Sequence, residues 1–166
     1  DNTFASPLTS STNPWPADLR NDFADRPHDA LESMGFDGGV FVDLPIDRAL
    51  RPPFTVRVAT SLGRGPEVHR HSESFVGAPF TQSRPIFPCV FPNWDNTPRA
   101  ERQGVVLVGS SPRILRKHVE AAVASVSELP GQQRLVFLKS WNEWAEGNYL
   151  EPDRKHGRDY LLAVAE

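Results

Sequence analysis

The chain has 166 residues, 39% hydrophobic and 23% charged, the make-up of an ordinary globular domain able to bury one core. Its formal net charge of -3 supplies no basic field of the kind that draws nucleic acid, and its single cysteine, Cys89, excludes an internal disulfide framework and a multi-cysteine metal site. No apolar run approaches the ~20 residues of a membrane span, and the opening DNTFASPLTSSTNPWP lacks a basic stretch followed by an apolar one, so a soluble, cytoplasmic chain without a membrane span is expected.

The 16 prolines gather in the first two thirds, in NPWP, LRPPF, GAPF, SRPIFPCVFP and NTPR. Proline has no amide donor and biases the preceding residue towards extended backbone, so this region should be rich in loops and short strands. Residues 1–34 read as an irregular N-terminal arm. The stretch FDGGVFVDLP (residues 36–45) predicts a buried strand, being β-branched and aromatic between glycines and a proline. Residues 51–83 give a weak pattern, with His69 and His71 reading as a solvated loop. Residues 86–91 predict a second strand, and Val105–Val108 a third short strand or a buried loop.

Ser110-Ser111-Pro112 has the form of a helix start, and Ile114, Leu115, His118, Val119, Ala122, Val123, Val126 and Leu129 recur at helical spacing before Pro130-Gly131. His118 on that stripe reads as a packing residue. Residues 134–139 predict a strand of the continuous apolar type found in parallel sheets, and Tyr160, Leu161, Val164 and Ala165 a closing helix. The second half thus has the rhythm of β/α units, in which chemistry collects where strands end and loops begin.

Three acid-bearing stretches occupy such positions: VDLPID with Asp43 and Asp47, PNWDNTPR (residues 92–99), and SWNEWAEGNYLEPD (residues 140–153). In the last, Glu143 and Glu146 are spaced so that a helical turn puts both carboxylates on one side, about 5–6 Å apart at their β-carbons. That separation suits the paired acids of glycoside chemistry, though the same spacing is common on solvated helix faces. Two close carboxylates ionise together only at a cost, and burial beside Trp141 or Trp144 would favour a retained proton further. Indole faces also stack on sugar rings. Asn142 and Tyr149 complete this group of substrate-binding candidates. Trp94, Asp95, Asn96 and Arg99 form a second group, in which an amide and a carboxylate suit vicinal hydroxyls; an Asx turn with a structural ion pair fits the same residues. Asp43 and Asp47 read rather as strand-end caps, and Asp153 as a cap for the closing helix. No phosphate loop, nucleophile elbow or metal-ligand spacing is present, so neither cofactor nor metal is expected.

The stretches FDGGVFVDLP, FPCVFPNWDNTPR, GSSPRIL and LVFLKSWNEWAEGNYLEPDRKHGRDYL resemble the glycosyltransferase WbsX-like proteins and the related glycoside hydrolase family 99-like, endomannosidase-like group, from about residue 35 to the end. The resemblance implies a (β/α)8 barrel of the TIM type with its site at the C-terminal strand ends, acting on glycosidic bonds in polysaccharide, O-antigen or lipopolysaccharide metabolism. It also implies that Glu143 assists attack by the substrate's own 2-hydroxyl, through an anhydro-sugar intermediate, and that Glu146 is the general acid/base. Such a barrel needs ~250 residues, so residues 35–166 look like its C-terminal part. Residues 51–85 and the SWNEW lead-in depart from the family pattern. A glycan is the expected partner, and a non-catalytic remnant or glycan-binding module is the alternative.

Overall fold

The computed structural model describes residues 4–5, 33–47, 49, 54–75 and 85–165. The chain mixes helices with short, mostly parallel strands, and divides into two compact units. One comprises Asp1–Asp43, Val76–Cys89 and Ala122–Phe137; the other comprises Leu44–Phe75, Val90–Ala121 and Leu138–Glu166.

The first unit is built on a sheet. Strand β1 (Phe4–Ala5) runs parallel to β2 (Gly38–Phe41), which runs parallel to β4 (Ile86–Val90), and β6 (Phe137–Leu138) follows β4 in the sheet order. Every residue of β4 is buried, as a central parallel strand covered on both faces should be. Gly38 has no substitute here: a β-carbon would stand 2.9 Å from the Pro85 carbonyl oxygen. Val40, Ile86, Phe87 and Cys89 are buried, Phe87 and Phe137 lie with ring centroids 6.1 Å apart, and Ala122 and Val126 add the end of a long helix. The expected arm over residues 1–34 lies almost wholly outside the described residues, but its Phe4–Ala5 pair is a sheet strand.

The second unit holds α1 (Phe54–Ser61), β3 (Glu67–Arg70), the four-residue α2 (Thr97–Ala100), β5 (Val105–Val108), most of α3 (Pro112–Val126), the hairpin β7 (Asn142–Glu143) and β8 (Asn148–Tyr149), and α4 (Asp159–Ala165). Helix α3 starts as its residues dictate. Ser111 Oγ accepts the Ile114 amide at 3.3 Å, Pro112 opens the first turn, and Ile114, Leu115 and His118 turn inward.

Four expectations change. Residues 51–83 contain α1 and β3, which were not legible because α1 (FTVRVATS) is rich in β-branched residues and has no buried position, while β3 (EVHR) takes its order from parallel pairing with the distant β5. Residues 134–139 yield only the two-residue β6; the 3-10 turn Gly131–Gln133 and the Arg134 Nε–Leu129 carbonyl bond of 2.8 Å hold the preceding segment out of the sheet. Asp153 takes the amides of Lys155 and His156 within a 153–157 turn, so it shapes the approach to α4, which starts at Asp159. His71 lies outside any solvated loop: it is 2% exposed, its Nδ1 is 2.9 Å from Ser110 Oγ, and its ring centroid is 5.3 Å from that of the equally buried His118.

Two contacts position the loops that matter below. The Leu107 amide bonds the Trp94 carbonyl at 2.9 Å and the Asp95 amide bonds the Glu146 carbonyl at 2.8 Å, so the 94–97 loop is fastened to β5 on one side and to the β7–β8 hairpin on the other. Gly147 makes the second contact possible, with φ at +51° and the place of its missing β-carbon 2.9 Å from both the Cβ and the carbonyl oxygen of Asp95.

Burial, and then repulsion from His118 whenever that ring is protonated, hold the His71 imidazole down to about 4 from its ordinary 6.5. The folded chain therefore favours neutral His71: its contribution to stability is complete above pH 6.5 and is lost as pH falls towards 4. Chemical denaturation at pH 7 and pH 4.5 should show a loss of about 2–3 kcal/mol from this group, and His71→Gln should flatten that part of the dependence. Gly147→Ala should cost roughly 2 kcal/mol or more through left-handed backbone and overlap with Asp95, visible as a lowered melting temperature.

Candidate active site

The PNWDNTPR loop leaves the buried strand β4 and turns at once. Asp95 Oδ1 accepts both the Thr97 amide at 3.0 Å and the Thr97 hydroxyl at 2.6 Å, and Pro98 sits in the first turn of α2. Asn96 Oδ1 accepts the Val105 amide at 2.6 Å, while its carbonyl takes the amides of Arg99 and Ala100. Asp95 and Asn96 thus spend these side-chain acceptors on folding the loop. What the loop presents is Arg99, whose side chain is 56% exposed.

The second loop leaves β6 through Lys139 and Ser140, joined by a cis peptide. Ser140 Oγ donates to the Asn148 carbonyl at 2.7 Å and accepts the Glu143 amide at 3.0 Å, and the Ser140 amide donates to Asn148 Oδ1 at 2.6 Å. These bonds close the β7–β8 hairpin, with Asn142 opposite Tyr149 and Glu143 opposite Asn148. Its tip is a 3-10 turn, Trp144–Glu146, where the sequence spacing suggested an α-helical turn. Asn93 Oδ1 accepts the Tyr149 amide at 3.0 Å and ties this hairpin to the first loop.

The two glutamates meet at one guanidinium. Arg99 Nη2 donates to Glu143 Oε1 at 3.1 Å and Nη1 to Glu146 Oε1 at 3.0 Å, although 44 and 47 residues separate them in sequence. Lys139 Nζ binds the other oxygen, Glu146 Oε2, at 2.5 Å and lies 4.9 Å from the centre of the Trp94 ring. Glu146 is the more enclosed, its side chain 16% exposed against 39% for Glu143. Like-charge repulsion between the carboxylates, anticipated from their spacing, is met here by two cations.

The aromatic residues divide. Trp94 packs edge-on against Phe91 with centroids 5.9 Å apart and carries the Lys139 ammonium on its ring. Trp144 is 48% exposed, stacks on Tyr149 at 3.8 Å and 18°, and donates Nε1 to Glu151 at 2.7 Å. Trp141 is 56% exposed, and Asn142 beside it is exposed as well. The Tyr149 hydroxyl donates to Asp153 Oδ2 at 3.0 Å; burial, with the Asp153 carboxylate next, raises the pKa of this phenol. Asp47, in the VDLPID stretch, accepts the Ala49 amide at 3.0 Å in a local turn. Among the described residues, no three His, Cys, Asp or Glu side chains gather as a metal site would require, and no helix is long and apolar enough to cross a membrane.

Lys139 was not singled out from sequence. It stands as the last residue of a strand-like run, where a lysine signals nothing; only the fold turns it towards the residue seven places on.

Comparison with known proteins follows the same residues. The family Glycosyltransferase WbsX matches residues 63–164, a span that includes both loops. The protein WxcX of Xanthomonas campestris pv. campestris, described as uncharacterized, is 39% identical over 82 residues in each of two strains, covering 49% of this chain. The chain spans 12% of the length of these curated relatives. Among solved structures, the GH99 endo-alpha-mannosidase of Bacteroides thetaiotaomicron is similar at a TM-score of 0.44 and 15% identity, over 82% of this chain and 40% of that one. With a match over residues 63–164, most of its length, the chain belongs to the glycosyltransferase WbsX family.

Proposed function

We propose that this chain carries part of the active site of a carbohydrate-active enzyme that breaks or forms glycosidic bonds in polysaccharide or O-antigen metabolism, on a segment of a (β/α)8 barrel. Membership of the WbsX family, parallel strands and polar loops at strand ends support the reading. The observation that carries it is the convergence of Glu143 and Glu146 on the Arg99 guanidinium. Two acids gathered by a shared cation are near enough to serve a single sugar residue.

In the roles that the family resemblance implies, Glu143 takes the proton of the substrate's 2-hydroxyl as that oxygen attacks the anomeric carbon. The bond to the leaving oxygen breaks as Glu146 protonates it. Water, or an acceptor hydroxyl, then opens the anhydro sugar at the anomeric carbon and gives its proton to Glu146, while Glu143 returns a proton to the 2-oxygen. Trp141 and Trp144, with Asn142 and Tyr149 alongside, are suited to line the approach to this pair, the exposed indoles as stacking surfaces. Arg99 is placed to act on the glutamates themselves; Asp95 and Asn96 act by shaping its loop.

A second reading, a glycan-binding module without turnover, draws support from the full occupation of Glu146 by Arg99 and Lys139 beside two exposed tryptophans. The two readings separate in one experiment on the intact protein with a panel of 4-nitrophenyl and methyl glycosides. Under the catalytic reading, Glu143→Gln and Glu146→Gln each lower kcat by about 10²–10⁴-fold while binding of methyl glycosides persists. The Glu146 variant should be the less impaired on nitrophenyl substrates, whose leaving group departs without a proton. Glycan binding with no turnover in the parent protein selects the module instead.

A further inference from the structure

The two glutamates are chemically alike, yet the fold treats them differently. Both oxygens of Glu146 are engaged, Oε1 by Arg99 at 3.0 Å and Oε2 by Lys139 at 2.5 Å. Glu143 binds the guanidinium through Oε1 alone and, among the described residues, its second oxygen has no side-chain partner. The asymmetry originates in Lys139. Its amide is fixed by the Val90 carbonyl at 3.0 Å, and its ammonium is held between the Trp94 ring and Glu146. Trp94 is itself fixed by its carbonyl bond from Leu107 and by Phe91. An ammonium so restrained is a fixture of the site and differs from a surface lysine, which has little geometric preference.

Resting on the function proposed above, we infer that Lys139 is a positioning residue for the reaction. It anchors Glu146, leaves Glu143 as the glutamate with an oxygen able to reach the 2-hydroxyl, and, together with Arg99, leaves the cluster no net negative charge whether or not Glu146 holds the proton it donates. The site therefore presents to the sugar ring a pair of acids without a surplus of negative charge, which selects uncharged sugars over aminated ones. Removing the lysine charge lowers the net charge of the cluster by one in a partly enclosed place, which favours an ammonium from solution there.

The test uses the intact protein, its Lys139→Met and Lys139→Arg variants, and two kinds of ligand in calorimetry. The charged ligands are 1-deoxynojirimycin, 1-deoxymannojirimycin and 1-deoxygalactonojirimycin, amines that carry a proton in the mildly acidic buffer used; the neutral ones are the matching methyl glycosides. Methionine is unbranched and similar in length to the lysine stem, so the variant isolates the charge. Lys139→Met should bind an iminosugar about tenfold more tightly than the parent, change methyl glycoside affinity by less than about threefold, and lose at least about tenfold in kcat with KM little altered. Lys139→Arg should restore the parental pattern. A merely structural lysine would weaken both ligand classes together, and that result, or no change in either, overturns the assignment of Lys139. If the parent binds neither class, the sugar-site reading fails and this inference fails with it.

Discussion

Much of what this chain presents depends on one guanidinium. Arg99 is delivered by a helix of only four residues, too short to be stable by itself, and the turn before it is held by Asp95 and Asn96 through their side chains. Its two nitrogens reach Glu143 and Glu146, which belong to different elements of the opposite hairpin. An arginine fork has the rigid planar geometry for two such acceptors, and a lysine in its place has a single point of charge. Without it, two carboxylates would repel across the hairpin tip, and the tip would lose its side-chain tie to Arg99, keeping only the Asp95–Glu146 backbone bond and the Asn93–Tyr149 bond to the first loop.

That tie is reinforced below the side chains. The Asp95 amide reaches the Glu146 carbonyl, and Gly147 lets the two backbones approach closer than any side chain would allow. The carboxylates are thus set by the main chain first and by charge second. Lys139 completes the cluster from a third direction, and the ring of Trp94 beneath it links an apolar core residue to the polar surface. The remaining aromatics are arranged otherwise: Trp144 and Tyr149 support one another on the hairpin, and Trp141 stays exposed. One indole holds a cation and the other two are exposed.

The same unit also tolerates an unusual interior. His71 and His118 lie in contact at the ends of β3 and on α3, where apolar residues would be cheaper, and burial keeps both imidazoles below their ordinary range. A neutral imidazole pair packs as well as an aromatic pair as long as neither ring is charged, which joins the integrity of this unit to pH.

The sequence by itself determined the elements whose order is local. The buried strand Ile86–Val90 followed from an apolar run, Pro112–Val126 from a capped periodic stripe, and the acid-rich loops from their place after strands. The nearness of Glu143 and Glu146 along the chain was legible, but their meeting depends on a 3-10 turn and on Arg99 rather than on a helical turn; the Asx turn at Asp95 was legible from residue type. Helix Phe54–Ser61 and strand Glu67–Arg70 were not legible, because weak local preferences were overruled by parallel pairing with Val105–Val108. Nor were the buried His71, the role of Arg99 as clamp, or Lys139 at all. Each of these depends on contacts between residues far apart in the chain, or on which way a side chain leaves a two-residue strand, and a single hydrophobic period encodes neither. What only the tertiary structure decided, then, is which cation faces which carboxylate: charge attraction has no preference for partners until the backbone has fixed the distances.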